Sequence, residues 1–251
     1  MLDTLLPILI FCALALTMLG AWRRVSLWRQ GRSSPVPLMR GLAAMPRRYL
    51  VDLHRVVERD RYMSRTHVAT AGGFVLAALL AIIVHGFGLH DRLLGFALLG
   101  ATALMFVGAL FVARRRRNPP ARLSKGAWNR LPKSLLMFSA SFFVVTLPVA
   151  GILPADVGGW VLALILAAGV AWGVSEMFFG MTWGGPMKHA FAGALHLAWH
   201  RRAERFGGGR STGLKALDLD EPDAPLGVEK PSDFTWNQLL GFDACVQCGK
   251  C

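Results

Sequence analysis

Residues 93–113 read LLGFALLGATALMFVGALFVA, and four arginines follow at 114–117. A bilayer's hydrocarbon core, roughly 30 Å thick, takes about 20 apolar residues of helix to cross. This uncharged stretch meets that length, and its arginine end is typical of a helix leaving the bilayer on the cytoplasmic side. Four further stretches read the same way: Leu5–Trp22, Val68–Gly88, Ser134–Pro154 and Val157–Thr182. The first follows acidic Asp3 and precedes its positive charges, the reverse of a cleaved secretory leader, so it is expected to stay as a helix. Composition agrees, with 54% hydrophobic residues, 17% charged and mean hydropathy +0.43. Soluble domains carry about 25% charged residues, so a single water-soluble core is excluded. The expected fold is all-α, a polytopic bundle of five transmembrane helices.

Loop charge orients the bundle. Residues 23–66 hold eleven Arg, residues 114–133 hold eight Lys or Arg, and the segment after 182 holds eight more. The opposite loops contain only Arg92. Basic loops stay cytoplasmic, which predicts an outside N-terminus and a cytoplasmic C-terminus. The net charge of +13 is then a topology signal and an attraction to anionic lipid. Nucleic acid is not expected as a partner, because the positive charges sit between apolar runs.

In the basic connector, a helix is expected from Arg48 to Arg65. After the fifth span, Gly184-Gly185-Pro186 precedes an amphipathic helix expected over 187–206, which completes a membrane domain of 1–206. Residues 207–232 read as a linker, starting with Gly207-Gly208-Gly209. A short helix capped by Ser232 or Asp233 then leads into 233–251, the start of a ferredoxin-type domain.

That last segment ends Cys245-Val246-Gln247-Cys248-Gly249-Lys250-Cys251. The C-x-x-C-x-x-C spacing is that of a [4Fe–4S] loop: two-residue gaps let successive thiolates reach three corners of one cubane. Gly249 lets the backbone bend close, and Lys250 offsets the negative charge of a thiolate-ligated cluster. A zinc knuckle and three free thiols are the alternatives. A fourth thiolate normally follows three residues on, before a proline. The chain is therefore expected to be the N-terminal piece of a longer iron–sulfur protein, binding a cluster poorly or not at all by itself. Cys12 lies inside the first span, where a small apolar residue of a helix is its plain reading.

Histidines suggest a second carrier. His67 and His85 are 18 residues apart on the second span, five α-helical turns and about 27 Å. His189, His196 and His200 fall within about 40° of one another on the amphipathic helix. His67 with His189, or with His196, is a candidate bis-histidine pair for heme b at the cytoplasmic boundary; histidines solvated among headgroups are the alternative. His85 lacks a histidine partner on the outer half of the fifth span. Glu176 is the one acid within a span, a candidate proton carrier at a quinone site. Pairing with an arginine such as Arg65 is its structural alternative.

With these residues in view, the chain resembles a known family. Gly185-Pro186-Met187-Lys188-His189, Leu195-His196-Leu197-Ala198-Trp199-His200 and Phe234-Thr235-Trp236-Asn237-Gln238-Leu239-Leu240-Gly241-Phe242-Asp243-Ala244-Cys245 are similar to the membrane-bound iron–sulfur oxidoreductases of bacterial dimethylglycine catabolism (the B subunit). More distantly, the five-span layout is similar to the gamma subunit of respiratory nitrate reductase and the membrane subunit of heterodisulfide reductase. The resemblance covers essentially the whole chain, and only the N-terminal part of such proteins. It implies a multi-pass protein of the bacterial inner membrane. Electrons would pass from a cytoplasmic flavoprotein donor, through iron–sulfur clusters, to membrane quinone. Cys245, Cys248 and Cys251 match the opening cluster ligands, and His67 and His189 match inner-heme positions. A heme-free anchor that only tethers a soluble iron–sulfur protein is the competing expectation. A transporter is disfavoured, because the spans lack charged residues and paired broken helices.

Overall fold

A computed structural model describes residues 2–53, 60–119, 126–154, 159–182, 185–200 and 227–245, with single positions 121, 123 and 220. Among these residues the regular elements are helical, and the extended pairing is an isolated bridge between Arg32 and Thr235. Helix α1 spans Leu2–Trp28 and α2 spans Leu38–Arg47, running into a π-helical turn at Arg48–Leu53. Helix α3 is the continuous run Arg61–Gly86, and α4 spans Arg92–Arg117. Helices α5, α6, α7 and α8 are Leu131–Thr146, Gly159–Thr182, Lys188–Trp199 and Trp236–Asp243.

Local chemistry sets the ends. Asp91 caps α4 by accepting from the amides of Leu93 (2.9 Å) and Leu94 (3.1 Å), satisfying donors that an N-terminus leaves orphaned. Arg114 to Arg117 occupy its last turn, where cations suit the helix dipole. Asp60 caps α3 through the Met63 amide and pairs with Arg115 at 3.3 Å. Between α3 and α4 the chain reverses through Gly88, whose φ of +69° is open to glycine at no steric cost.

The five long helices pack in a ring: α1 on α6, α6 on α5, α5 on α4, α4 on α3, and the Ile82–Gly86 end of α3 back on α1. Leu98, Met105, Phe142 and Val170 are fully buried at its centre. The outside is apolar as well. Met18 is 73% exposed, Trp22 63%, Val75 62% and Ile165 63%, a burden in water and the ordinary condition in lipid. Helices Thr4–Trp28, Arg61–Gly86 and Arg92–Arg117 are long and apolar enough to cross a membrane; Leu131–Thr146 and the Ala163–Gly173 segment of α6 are shorter apolar helices.

Several expectations change. The fourth apolar stretch is helical only to Thr146, then turns through Leu147–Ala150 to Gly151 at φ +70°. Helix α3 contains π turns at Val68–Gly72 and Ile82–Gly86. Each adds a residue to its turn, so His67 and His85 are not separated by five α-helical turns. The amphipathic helix begins as expected but leaves helical geometry at His200, with ψ 147°; 201–206 lie outside the described residues. Of the helix expected over Arg48–Arg65, residues 54–59 lie outside them too, and 48–53 form the π turn. Most of the expected linker 207–232 is likewise outside.

Candidate functional site

The end of the bundle that carries the basic loops also carries a second, smaller core. Trp28 at the end of α1, Ala192 on α7 and Leu240 on α8 are buried together, and the Trp28 and Phe191 rings stack at 5.9 Å. The segment after α1 pairs with the strand-like entrance to α8: the Arg32 amide donates to Phe234 (2.7 Å) and the Trp236 amide to Arg32 (3.0 Å). Gly31 is required there, because a Cβ would lie 2.7 Å from the Trp236 amide nitrogen. Gln238 Oε1 accepts from the Thr235 amide (2.8 Å) and hydroxyl (3.0 Å) at the start of α8, the half of a capping box in which the third residue reaches back to the N-cap. The expected caps do not serve: Asp233 spends its carboxylate on the amides of Glu229 and Lys230, each at 2.9 Å.

Helix α8 ends in a polar clasp. Asp243 accepts from Trp28 Nε1 at 2.8 Å and Lys188 Nζ at 3.0 Å, with Arg24 at 3.6 Å. Its carboxylate is only 13% exposed, so these partners offset a real desolvation cost. His189 Nδ1 donates to the Ala244 carbonyl at 2.6 Å. The next residue is Cys245, exposed and in no disulfide. Cys248 and Cys251 lie outside the described residues, among which no group of three or more metal-ligating side chains assembles.

The histidine stripe faces this tail helix. A Cβ on Gly241 would lie 3.4 Å from the His196 ring, and the His196 and His200 rings stack at 4.3 Å. Burial above all, then the charges of His200, Arg48 and His189, push the His196 pKa down to about 4. Burial also lowers His189, against the opposing bond to Ala244. Arg48 donates to the carbonyls of Leu197 (2.6 Å), Ala198 (3.1 Å) and His200 (2.8 Å), satisfying carbonyls that the end of α7 leaves open.

The other sequence candidates sit elsewhere. His67 ends the first α-helical part of α3, its ring 6.1 Å from that of Tyr49. Glu176 Oε1 is 3.9 Å from Arg130 Nε. Buried His85 donates through Nε2 to Thr146 Oγ1 (2.9 Å), because that hydroxyl gives its own proton to Phe142. Trp28, Lys188, Arg24, Arg48 and Asp243 were not site candidates from the sequence, because the partner of each is distant in the chain.

Residues 3–222 match a protein family described as a domain of unknown function, DUF3483. The chain belongs to the DUF3483 family. This DUF3483 chain is similar to a protein of Chromohalobacter salexigens named "Probable membrane-anchored ferredoxin", 75% identical over 256 residues. The match covers 100% of the DUF3483 chain and 38% of that relative, so the chain spans well under half of the relative's length. No solved structure matches it.

Proposed function

We propose that the chain is the membrane anchor and electron-transfer module of an iron–sulfur oxidoreductase of the bacterial inner membrane. In this reading 1–206 form a five-span membrane domain, 207–232 a linker and 233–251 the start of a cluster-binding domain, with the C-terminus cytoplasmic. The supporting observation is the packing of α8 on α1 and α7 through Trp28, Ala192 and Leu240, which joins the bundle to the helix leading into Cys245. The name of the Chromohalobacter relative agrees with an iron–sulfur protein held at a membrane.

The donor set fits a cluster: thiolates at Cys245, Cys248 and Cys251 have ferredoxin-type spacing, and Cys245 is exposed beside the basic end. When bound, a [4Fe–4S] cluster passes single electrons between a cytoplasmic flavoprotein (a dimethylglycine demethylase or an electron-transfer flavoprotein) and membrane quinone. The protein's own part is position: α8 holds Cys245 at the bundle, and the basic loops keep that end on the cytoplasmic side. Glu176 beside Arg130 is the proton carrier in this scheme. His189 also fits a heme b, because the Nδ1–H bond to Ala244 leaves Nε2 as the lone-pair nitrogen that iron takes; His67 would complete the pair, with His196 as the alternative to His189. His85 does not fit through Nε2, whose hydrogen is committed to Thr146.

Purified whole gene product is expected to show a [4Fe–4S] electron-spin-resonance signal on reduction. Cys245→Ser and Cys248→Ser should each abolish or reshape it, and an unchanged signal in both rejects the ligand assignment. A heme-free anchor is the second reading, favoured by the Ala244 bond, which accounts for His189 without iron. A bis-histidine heme spectrum lost in His189→Ala decides for heme; its absence from the wild type decides for the bare anchor.

A further inference from the structure

We infer that Asp243 is the positioning residue that sets where the cluster sits relative to the bilayer; the inference rests on the proposed function. Asp243 lies two residues before Cys245, in the last turn of α8. Its two carboxylate oxygens take separate tasks: Oδ2 accepts from Trp28 Nε1 on α1, while Oδ1 faces Lys188 on α7 and Arg24 on α1. With His189 donating to Ala244, α1 and α7 hold two consecutive residues directly before the first cysteine. Rigid supports of this kind keep a reactive group in register, and a misplacement of about 1 Å can lower a rate about 10²-fold.

Electrostatics and geometry make different predictions here. Asp243→Asn and Asp243→Ala remove the same negative charge next to two cations. Both should therefore raise the cluster's reduction potential in the same direction, since added net positive charge favours the reduced, more negative cluster. Asn keeps one oxygen, enough to accept from Trp28 or from Lys188 but not from both, and Ala keeps none. Position is thus held in part in one variant and lost in the other, at equal charge. Trp28→Phe gives the reverse case, leaving every charge and deleting one bond of the clasp.

The experiment uses the whole gene product in phosphatidylglycerol-containing vesicles, with its cluster photoreduced by deazaflavin and re-oxidised by decyl-ubiquinone in a single turnover. At equal iron content, Asp243→Ala is expected to slow re-oxidation about tenfold or more, while Asp243→Asn and Trp28→Phe, each keeping part of the clasp, fall between it and the wild type. Backbone amides of 236–245 should exchange with deuterium faster in Asp243→Ala than in Asp243→Asn. Equal rates and equal exchange in the two variants overturn the inference. If Asp243→Ala does not accumulate, Trp28→Phe combined with Lys188→Met takes its place, and wild-type rate and exchange in that protein overturn it equally. If quinone fails to re-oxidise even the wild-type cluster, the proposed function fails, and the exchange comparison still decides whether Asp243 holds the tail.

Discussion

Single atoms decide how closely α3 and α4 approach. A Cβ on Gly73 would lie 2.6 Å from the Met105 amide nitrogen, and one on Gly108 would lie 2.6 Å from the Thr70 amide nitrogen. In lipid there is little hydrophobic drive between helices, so small residues that allow close backbone packing carry much of the association. Gly73→Ala is expected to destabilise the bundle by about 1–3 kcal/mol, the usual range for forcing extra volume into a packed contact. Gly100→Ala, with nothing within 4 Å of the added carbon, should be neutral. Thermal unfolding in detergent, followed by circular dichroism, checks the pair. The adjacent Gly72 also meets nothing within 4 Å. Two neighbouring glycines are identical as letters; the π turn that ends at Gly72 determines which of them faces α4.

At the scale of elements, the α7–α8 contact is expected to weaken in acid. Folding holds His196 neutral with a pKa of about 4, against about 6.5 in an unfolded chain. The undocked form therefore binds more protons between these values. Docking is fully stable above about pH 6.5, weakens as pH falls towards 4, and changes no further through this group below that. His189 and His200 are lowered too and act in the same direction. The Trp199 and Trp236 rings meet at 6.0 Å across this contact, so tryptophan fluorescence reports it. His196→Gln is expected to flatten most of the slope between pH 6.5 and 4; an unaltered slope would remove His196 from the account. The histidine stripe was legible in the sequence from its spacing. Its facing partner was not, because nothing local in 187–200 says that Gly241, some forty residues on, lies against it.

For the whole molecule the governing facts are an apolar exterior and one basic end. A reporter inserted near Gly88, between α3 and α4, is expected to report the side of the membrane away from the cytoplasm, and one fused after Cys245 the cytoplasmic side. The opposite pattern would invert the topology and with it the electron-transfer scheme. The apolar helices and their order were readable directly, since the bilayer imposes length and hydrophobicity on each span separately. Where the fourth apolar stretch stops being helical was not: Ile152 and Leu153 are as apolar as the helix before them, yet a turn precedes them at Leu147–Ala150, where Gly95 of α4 packs against Ala150.

The sequence alone therefore determined the helical class, the clustering of basic charge in particular loops and the cysteine spacing, because hydropathy, charge and short ligand gaps act over neighbouring residues. The tertiary structure decided the ring order of the helices, the Arg130 neighbour of Glu176 and the clasp on Asp243. Those depend on contacts between residues as many as 219 positions apart, as with Arg24 and Asp243, and only packing brings such groups within hydrogen-bonding reach.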